Sequence, residues 1–261
     1  MGLTASINKL VFPTDDIGGA VQGMSHSQSL HPTERYNIPY LEIDESRDAP
    51  RAVLLYSHGN AENLFLVEQR LRHLSQALSV VVVAYEYAGY GLHQLIDESK
   101  PSEKNVYEDA VVMGRVACEL ARAKEVPFII YGRSLGSAPA IYTATKFQKE
   151  AHGLIVESGF RSCTRVVSNV LHSFYDVFDN EKVLKEQIKV RTIFIHGQQD
   201  RVVPFAHGKY LFEECRSPKE HFWIPDGHHN DLNSTYLQEL LIKLDHFVAR
   251  VSKRYETKNK Q

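Results

Sequence analysis

Short apolar runs alternate along this chain with longer segments whose apolar residues recur at helical spacing. The runs occupy residues 52–56, 79–85, 128–131, 154–156, 190–195 and 221–224, and the helical pattern marks 62–78, 103–124, 134–147, 206–215 and 235–251. A continuous apolar run predicts a strand that is buried on both faces, as in parallel sheets. This order of elements predicts an α/β architecture, with helices on both faces of a mostly parallel central sheet.

The limits of the domain follow from where this pattern starts and ends. Residues 36–43 alternate between apolar and polar and predict an edge strand, whereas residues 8–35 show no clear periodicity. We therefore expect an N-terminal arm over residues 1–35, an α/β domain over 36–256 and a C-terminal tail over 257–261. No internal repeat, low-complexity stretch or linker divides the 261 residues further.

Composition argues against several classes of function. The 30 Lys and Arg nearly balance the 32 Asp and Glu, so we expect no nucleic-acid partner, because such binding needs concentrated positive charge. The cysteines Cys118, Cys163 and Cys215 are too widely spaced for a disulfide framework or a zinc site, and they indicate a reducing compartment such as the cytosol. We expect no metal and no cofactor. No apolar run approaches the roughly 18 residues that predict a transmembrane helix.

The pentapeptide Gly132-Arg133-Ser134-Leu135-Gly136 lies between a predicted strand and a predicted helix. This is the context of a nucleophile elbow, a tight turn in which flanking glycines avoid clashes and the serine is raised above the sheet. The helix N-terminus at that point favours a developing negative charge. A glycine-rich turn with a helix-capping serine is the structural alternative, but the partner residues that follow in the chain favour Ser134 as a nucleophile.

A serine hydroxyl needs a general base, and that base needs a carboxylate to orient it. In hydrolases with a nucleophile elbow the chain order is Ser, then Asp or Glu, then His. Asp200 lies in the loop after the strand at 190–195 and is the predicted acid, with a turn or helix-capping aspartate as the structural alternative. The last predicted strand is followed by His228 and His229, and spacing alone does not decide which of them is the base.

Two backbone amides are expected to bind the substrate oxyanion. One is the amide of Leu135, directly after the nucleophile, and the other comes from the loop at residues 58–63. We expect Asn60 to supply the second amide, with a plain turn as the structural alternative. Two further histidines follow strands: we expect His58 to brace this loop and His196 to pack under the acid loop.

The segment at residues 160–186 lies where large lids enter the α/β-hydrolase fold, and here it is short. Together with the elbow and its partners, it predicts this fold with a minimal cap. The apolar residues near the end of the segment either line an acyl groove or pack in the core, and the sequence favours neither alternative; they are Phe174, Tyr175, Val177 and Phe178.

The N-terminus carries a different kind of signal. The start Met1-Gly2-Leu3 lacks the apolar region of a secretory signal. Gly2 followed by Ser6 matches the pattern for N-myristoylation, although so short a pattern also arises by chance. A single myristoyl chain binds membranes only marginally, so we expect peripheral contact at the cytoplasmic face together with a cytoplasmic pool.

Several of these segments together resemble one known family. They are Ser57-His58-Gly59-Asn60-Ala61, Pro101-Ser102-Glu103-Lys104-Asn105, Tyr131-Gly132-Arg133-Ser134-Leu135-Gly136, His196-Gly197-Gln198-Gln199-Asp200, Ala206-His207-Gly208 and Gly227-His228-His229-Asn230-Asp231. Over about residues 50–250 the chain is similar to alpha/beta-hydrolase domain-containing protein 17, a family of membrane-attached protein depalmitoylases. The broader group named after the yeast Bem46 protein shares the His-Gly-Asn-Ala and serine motifs.

The resemblance implies hydrolysis of the thioester that joins palmitate to a protein cysteine, with S-acylated proteins as partners. It selects His229 as the base, because the family's histidine precedes Asn-Asp, and it supports Ser134 and Asp200. The chain departs from the family in having no cysteine before Cys118, where the family has a palmitoylated cluster. A myristoyl group on Gly2 would replace that anchor. Residues 92–99 are additional, and the histidine at 228 replaces a small residue.

Two other functions are compatible with the sequence. A carboxylesterase or lipase acting on small esters or lipids would use the same catalytic residues. A hydrolase-like scaffold that only binds partners would be expected to lack part of the catalytic set, whereas Ser134, Asp200 and His229 are all present.

Overall fold

The computed structural model describes residues 28–33, 36–96, 99–167 and 176–259. Its eight strands form one sheet in the order β1-β2-β4-β3-β5-β6-β7-β8. β2 is antiparallel to both of its neighbours, and the strands from β3 to β8 are parallel. The strands are β1 (Gln28–Pro32), β2 (Asn37–Asp44), β3 (Val53–Ser57), β4 (Val81–Tyr85), β5 (Phe128–Arg133), β6 (Ala151–Glu157), β7 (Thr192–Gly197) and β8 (Lys219–Ile224).

Helices cover both faces of this sheet. They are α1 (Leu64–Leu78), α2 (His93–Ile96), α3 (Glu103–Ala123), α4 (Ser137–Lys146), α5 (Cys163–Val167), α6 (Asn180–Gln187), α7 (Phe205–Glu214) and α8 (Leu237–Asn259). One apolar core lies between the sheet and helices α3, α4, α6 and α7, and a second lies under α1 and α8. The parallel α/β architecture predicted from the sequence is confirmed.

The continuous apolar character of the central strands follows from these two cores. In β3 all five residues are buried. Val53 and Leu55 point into one core, whereas Leu54 and Tyr56 point into the other, because successive side chains of a strand face opposite sides of the sheet. A strand packed on both faces has no position at which a polar side chain would reach water.

The N-terminal edge of the sheet differs from the prediction. Residues 36–43 were expected to form the edge strand, but β2 lies between β1 and β4, so this prediction was wrong. β1 is short and polar, and it pairs with β2 through backbone hydrogen bonds rather than through a buried apolar face of its own. Residues 28–32 of the predicted arm therefore belong to the sheet. At the other end, α8 continues to Asn259, past the predicted domain limit at residue 256.

The helix starts in the structure agree more closely with the prediction than the edge of the sheet does. Ser102 caps α3, since its side chain accepts a hydrogen bond from the Asn105 amide at 3.1 Å. The Asn63 side chain caps α1 in the same way, so that this helix begins at Leu64 rather than at residue 62. The short helices α2, α5 and α6 were not predicted, because segments of four to eight residues carry too few apolar positions to show a period.

The cap segment connects β6 to α6. Phe178 is fully buried and its ring meets that of Tyr107 edge-on at 5.4 Å, so this residue packs in the core rather than lining a groove. Val177 packs against the same core. Phe174 and Tyr175 lie outside the described residues. Within the described ranges, no helix is both long enough and apolar enough to cross a membrane.

Candidate active site

The nucleophile elbow joins β5 to α4. Ser134 has a φ of 52°, a left-handed conformation that is strained for a residue with a side chain and that tilts the hydroxyl away from the sheet. A Cβ on Gly132 would lie 2.2 Å from the Gly136 carbonyl oxygen, and one on Gly136 would lie 2.0 Å from the Ser57 carbonyl oxygen. Both glycines are therefore required by close backbone contacts, the second of them with the end of β3.

Asp200 lies three residues beyond the end of β7. Its Oδ1 accepts hydrogen bonds from the amides of Val202 and Val203, at 2.9 and 2.8 Å, which fixes the carboxylate. The loop after β8 approaches closely, since a Cβ on Gly197 would lie 2.2 Å from the Gly227 carbonyl oxygen. The acid loop and the base loop are thus packed backbone against backbone.

His229 connects the acid to the nucleophile. Its Nδ1 lies 2.7 Å from Asp200 Oδ2, and its Nε2 lies 3.0 Å from Ser134 Oγ. The adjacent His228 is exposed, and its backbone amide donates to Asp231 Oδ1 at 2.8 Å. Of the two histidines that the residues alone left open, the structure brings His229 into contact with both partners.

Asp200 is held in its charged form. Burial by itself would raise the pKa of its carboxyl, but hydrogen bonds from His196 and His229 outweigh burial and hold the pKa well below its usual range. The ionised carboxylate can orient the His229 ring with a proton on Nδ1 and stabilise the imidazolium that forms when Nε2 accepts a second proton.

His196 packs under the acid loop, as the sequence predicted. It is buried, and its Nε2 lies 2.9 Å from the Val203 carbonyl oxygen and 3.4 Å from Asp200 Oδ2. A Cβ on Gly208 would lie 2.3 Å from the His196 ring nitrogen Nδ1, so the ring is wedged between this loop and helix α7.

The predicted oxyanion loop follows β3. His58 braces it, as expected: Nδ1 lies 2.8 Å from the Gly59 carbonyl oxygen, and Nε2 lies 3.0 Å from Glu86 Oε1. Asn60 is half-buried, and its Oδ1 accepts a hydrogen bond from the Tyr90 hydroxyl. The roles of the Asn60 amide and of the buried Leu135 as oxyanion donors stay predictions.

Sequence reasoning missed several charged residues around the site. Glu86 pairs with His58, and Arg133 makes hydrogen bonds to Glu62 and Glu157. Charged residues are almost never fully buried unless they are paired. A charged residue at the end of a strand that is buried on both faces, as Arg133 and Glu157 are, is the signal that would have found these two.

Two further predictions concern lipidation and metal binding. The lipidation signal at Gly2 lies outside the described residues. Among the residues that are described, no group of three or more His, Cys, Asp or Glu side chains is arranged to hold a metal ion. The chain of contacts from Ser134 through His229 to Asp200 has the geometry that acyl transfer to a serine requires.

Comparison of the chain with known proteins identifies its family. The family model described as Serine hydrolase (FSH1) matches residues 100–230, a span that contains Ser134, Asp200 and His229. A soluble variant of monoglyceride lipase from Saccharomyces cerevisiae, solved with a substrate analogue, superposes with a TM-score of 0.69 at 13% identity. The superposition covers 88% of this chain and 96% of the lipase, and it confirms the predicted α/β-hydrolase fold.

Two relatives share more of the sequence. Human alpha/beta hydrolase domain-containing protein 17B is 33% identical over 201 residues, covering 74% of this chain and 67% of the relative. The aho-3 protein of Caenorhabditis elegans, also an alpha/beta hydrolase domain-containing protein, is 33% identical over 197 residues, and the match spans 57% of its length. The chain is a serine hydrolase that belongs to the family of alpha/beta hydrolase domain-containing protein 17.

Proposed function

We propose that this chain hydrolyses fatty acyl thioesters and removes palmitate from the cysteines of S-palmitoylated proteins. The observation that carries the hydrolytic part is the continuous contact from Ser134 Oγ to His229 Nε2 and from His229 Nδ1 to Asp200 Oδ2. The acyl thioester is the substrate class implied by the family to which the chain belongs.

The reaction begins with proton transfer. His229 Nε2 takes the proton of the Ser134 hydroxyl while Oγ attacks the acyl carbonyl carbon, and ionised Asp200 stabilises the resulting imidazolium. The negative charge moves to the carbonyl oxygen, which the Leu135 and Asn60 amides hold. The tetrahedral intermediate then expels the cysteine sulfur, which takes the proton from His229, and an acyl ester on Ser134 is left.

The second half of the reaction restores the enzyme. Water attacks the acyl ester while His229 Nε2 takes one of its protons, and the same amides hold the new oxyanion. Collapse of this intermediate returns the proton to Ser134 Oγ and releases the fatty acid. None of these steps distinguishes a thioester from an oxygen ester, so a carboxylesterase or lipase acting on small esters or lipids is the competing proposal.

The substrates of this proposal are bound to membranes, and the chain would meet them there. Peripheral contact at the cytoplasmic face, assisted by N-myristoylation of Gly2, fits such substrates. The modification is tested by the intact mass of protein produced with a myristoyltransferase, beside the variant Gly2→Ala. An added acyl mass on the wild type alone is expected, and a wild-type mass equal to that of its unmodified sequence would count against it.

Two measurements test the function. A fluorophosphonate probe is expected to label the wild type and not Ser134→Ala, and the turnover of a palmitoyl-peptide thioester is expected to fall by about 10⁴-fold or more in that variant. Undiminished labelling of Ser134→Ala would refute the nucleophile. Matched oxygen esters of several chain lengths separate the proposals: faster turnover of short oxygen esters than of the palmitoyl thioester would favour the esterase.

A further inference from the structure

Arg133 precedes the nucleophile and is almost fully buried, with only 5% of the residue exposed. Its guanidinium donates hydrogen bonds in three directions. Nη2 donates to the His229 carbonyl oxygen and to Asn230 Oδ1, each at 3.0 Å, while Nη1 donates to Glu62 Oε1 at 3.0 Å and Nε to Glu157 Oε1 at 3.2 Å. One side chain thus contacts the base loop, the loop after β3 and the end of β6.

Glu62 carries the contact into the predicted oxyanion loop. Its Oε2 accepts a hydrogen bond from the Gly59 amide at 2.6 Å, directly before Asn60. Burial would raise the pKa of Glu62, but the charges of Arg70 and Arg133 outweigh burial and lower the pKa to about 2. The carboxylate is therefore charged at neutral pH, and the contact from Arg133 through Glu62 to Gly59 is a chain of charge-assisted hydrogen bonds.

Glu157 provides the fixed point on the sheet. It is fully buried at the end of β6 and accepts a hydrogen bond from the Tyr131 hydroxyl on the neighbouring strand. It also accepts one from Asn233 Nδ2 at 2.6 Å, four residues beyond His229. Arg133 thereby connects the loop that holds the base and the loop of the proposed oxyanion donor to a carboxylate that the sheet holds in place.

We propose that Arg133 is a positioning residue that sets the oxyanion loop and the base loop in register with Ser134. This inference rests on the proposed roles of Ser134 and His229, and it holds for any acyl substrate. A guanidinium suits the task because its donors form a rigid planar fork that can serve these four acceptors in three directions at once. A lysine ammonium is a compact point charge on a flexible stem, which cannot hold the same three directions.

A defect in positioning is expected in kcat rather than in KM. Arg133 contacts neither the acyl chain nor the leaving group in the proposed mechanism, so substrate binding should change little. A shift of about 1 Å in a catalytic group can cost about 100-fold in rate, because the reacting atoms must lie in attack geometry. We therefore expect Arg133→Lys to lower kcat by about 30- to 100-fold, with KM within about threefold of the wild type.

The experiment uses p-nitrophenyl butyrate as the substrate, so that its result does not depend on a preference for palmitate. Arg72→Lys is the matched control, because Arg72 also pairs with two carboxylates, those of Glu45 and Glu68, but is partly exposed. The fraction of active enzyme is titrated with a fluorophosphonate, and kcat is expressed per labelled site. A full set of labelled sites with a lowered kcat supports positioning; unchanged kcat per labelled site would overturn it.

Two milder variants cover the case in which Arg133→Lys does not fold. Glu62→Gln weakens the link to the oxyanion loop, and Asn230→Ala removes one acceptor at the base loop. If both loops are held through Arg133, the loss of kcat in the double variant should be smaller than the product of the single losses. Losses that multiply as independent effects would overturn the proposal.

Failure of the substrate assignment gives a different result. If the wild type turns over the butyrate ester but not a palmitoyl-peptide thioester, the proposed substrate class fails while the Arg133 comparison is still measured. If the wild type neither turns over the ester nor is labelled by the fluorophosphonate, both proposals are overturned.

Discussion

Two histidine–carboxylate pairs lie at the carboxyl ends of the parallel strands and have different roles. His229 Nδ1 lies 2.7 Å from Asp200 Oδ2, and His58 Nε2 lies 3.0 Å from Glu86 Oε1. The free nitrogen of His229 faces the Ser134 hydroxyl, whereas the second nitrogen of His58 is engaged by the Gly59 carbonyl oxygen. The same chemistry therefore yields a proposed base in one pair and a brace in the other.

The surroundings of the two pairs explain the difference. Asp200 also accepts two backbone amides from its own loop, so its carboxylate is fixed whether or not the histidine is charged. Glu86 instead accepts the Leu64 amide at the start of α1, and His58 stacks on Tyr87 with ring centroids 4.1 Å apart. The first pair ends at a reactive hydroxyl, and the second is enclosed by a helix terminus and an aromatic ring.

The largest effect is expected from neutralising the acid of the first pair. Asp200→Asn keeps the shape of the side chain but removes the charge that stabilises the imidazolium, and its amide favours the wrong tautomer of His229. We expect kcat to fall by about 10³- to 10⁴-fold. Steady-state turnover of p-nitrophenyl butyrate measures this loss, and a decrease of less than about tenfold would contradict the proposed role of Asp200.

The equivalent change in the second pair should act mainly on stability. Glu86→Gln leaves a buried histidine without its anionic partner, and we expect the free energy of unfolding to fall by about 1–3 kcal/mol. Labelling of Ser134 by a fluorophosphonate should persist, with turnover reduced by about tenfold or less. Denaturant unfolding and probe labelling measure the two quantities.

Glu213→Gln is the matched control for this variant, because Glu213 pairs with Lys209 on the exposed surface of α7, where ion pairs contribute little. A loss of turnover in Glu86→Gln as large as that in Asp200→Asn would break the distinction between the two pairs.

The sequence predicts those residues of the site that belong to local motifs. The elbow glycines fix the conformation of Ser134, and the order of acid and base follows from which strand ends each loop continues. Asp200 could therefore be named from the chain order, whereas His229 was selected over its neighbour only by the family resemblance. His228 could not be excluded on spacing, since adjacent residues in one loop differ only in the direction of their side chains.

The remainder depends on contacts between segments far apart in the chain. Glu86 meets His58 across 28 residues, and Arg133 meets the His229 carbonyl across 96, so neither contact leaves a local pattern. The same holds for β1, whose polar residues give no period and which is stabilised by its pairing with β2. The helices α1, α3, α4, α7 and α8 were predictable because each buries a periodic apolar face.

The two pairs are also expected to respond to pH in opposite directions. Burial lowers the pKa of His58, but its hydrogen bond to Glu86 and the charge of Glu86 outweigh burial and raise the pKa above its ordinary value of 6.5. A raised folded-state pKa stabilises the protein fully below pH 6.5, and this contribution is lost as the pH rises through the raised value. The difference in unfolding free energy between the wild type and Glu86→Gln should therefore be larger at pH 6 than at pH 9.

For Asp200 the folded-state pKa is lowered from its ordinary value of 3.8. Its contribution is present above that pH and is lost as the pH falls through the lowered value. The difference in unfolding free energy between the wild type and Asp200→Asn should thus be constant from pH 5 to pH 7 and shrink below about pH 4. Urea unfolding across both ranges checks the signs, and differences that change in the same direction for the two variants would contradict the pairing.

The smallest effect is expected at His228, the neighbour that the sequence left as a candidate base. The residue is exposed. Its contact with Asp231, which shapes the loop, is made by the backbone amide rather than by the ring. His228→Ala should leave kcat/KM within about twofold of the wild type, whereas His229→Ala should lower it by about 10³-fold or more, because only His229 contacts both Asp200 and Ser134. Turnover of the butyrate ester by both variants, each scaled by its intact fold from circular dichroism, measures the contrast. A loss in His228→Ala comparable with that in His229→Ala would mean that His228 also acts in the reaction, and the assignment of His229 as the base would have to be abandoned.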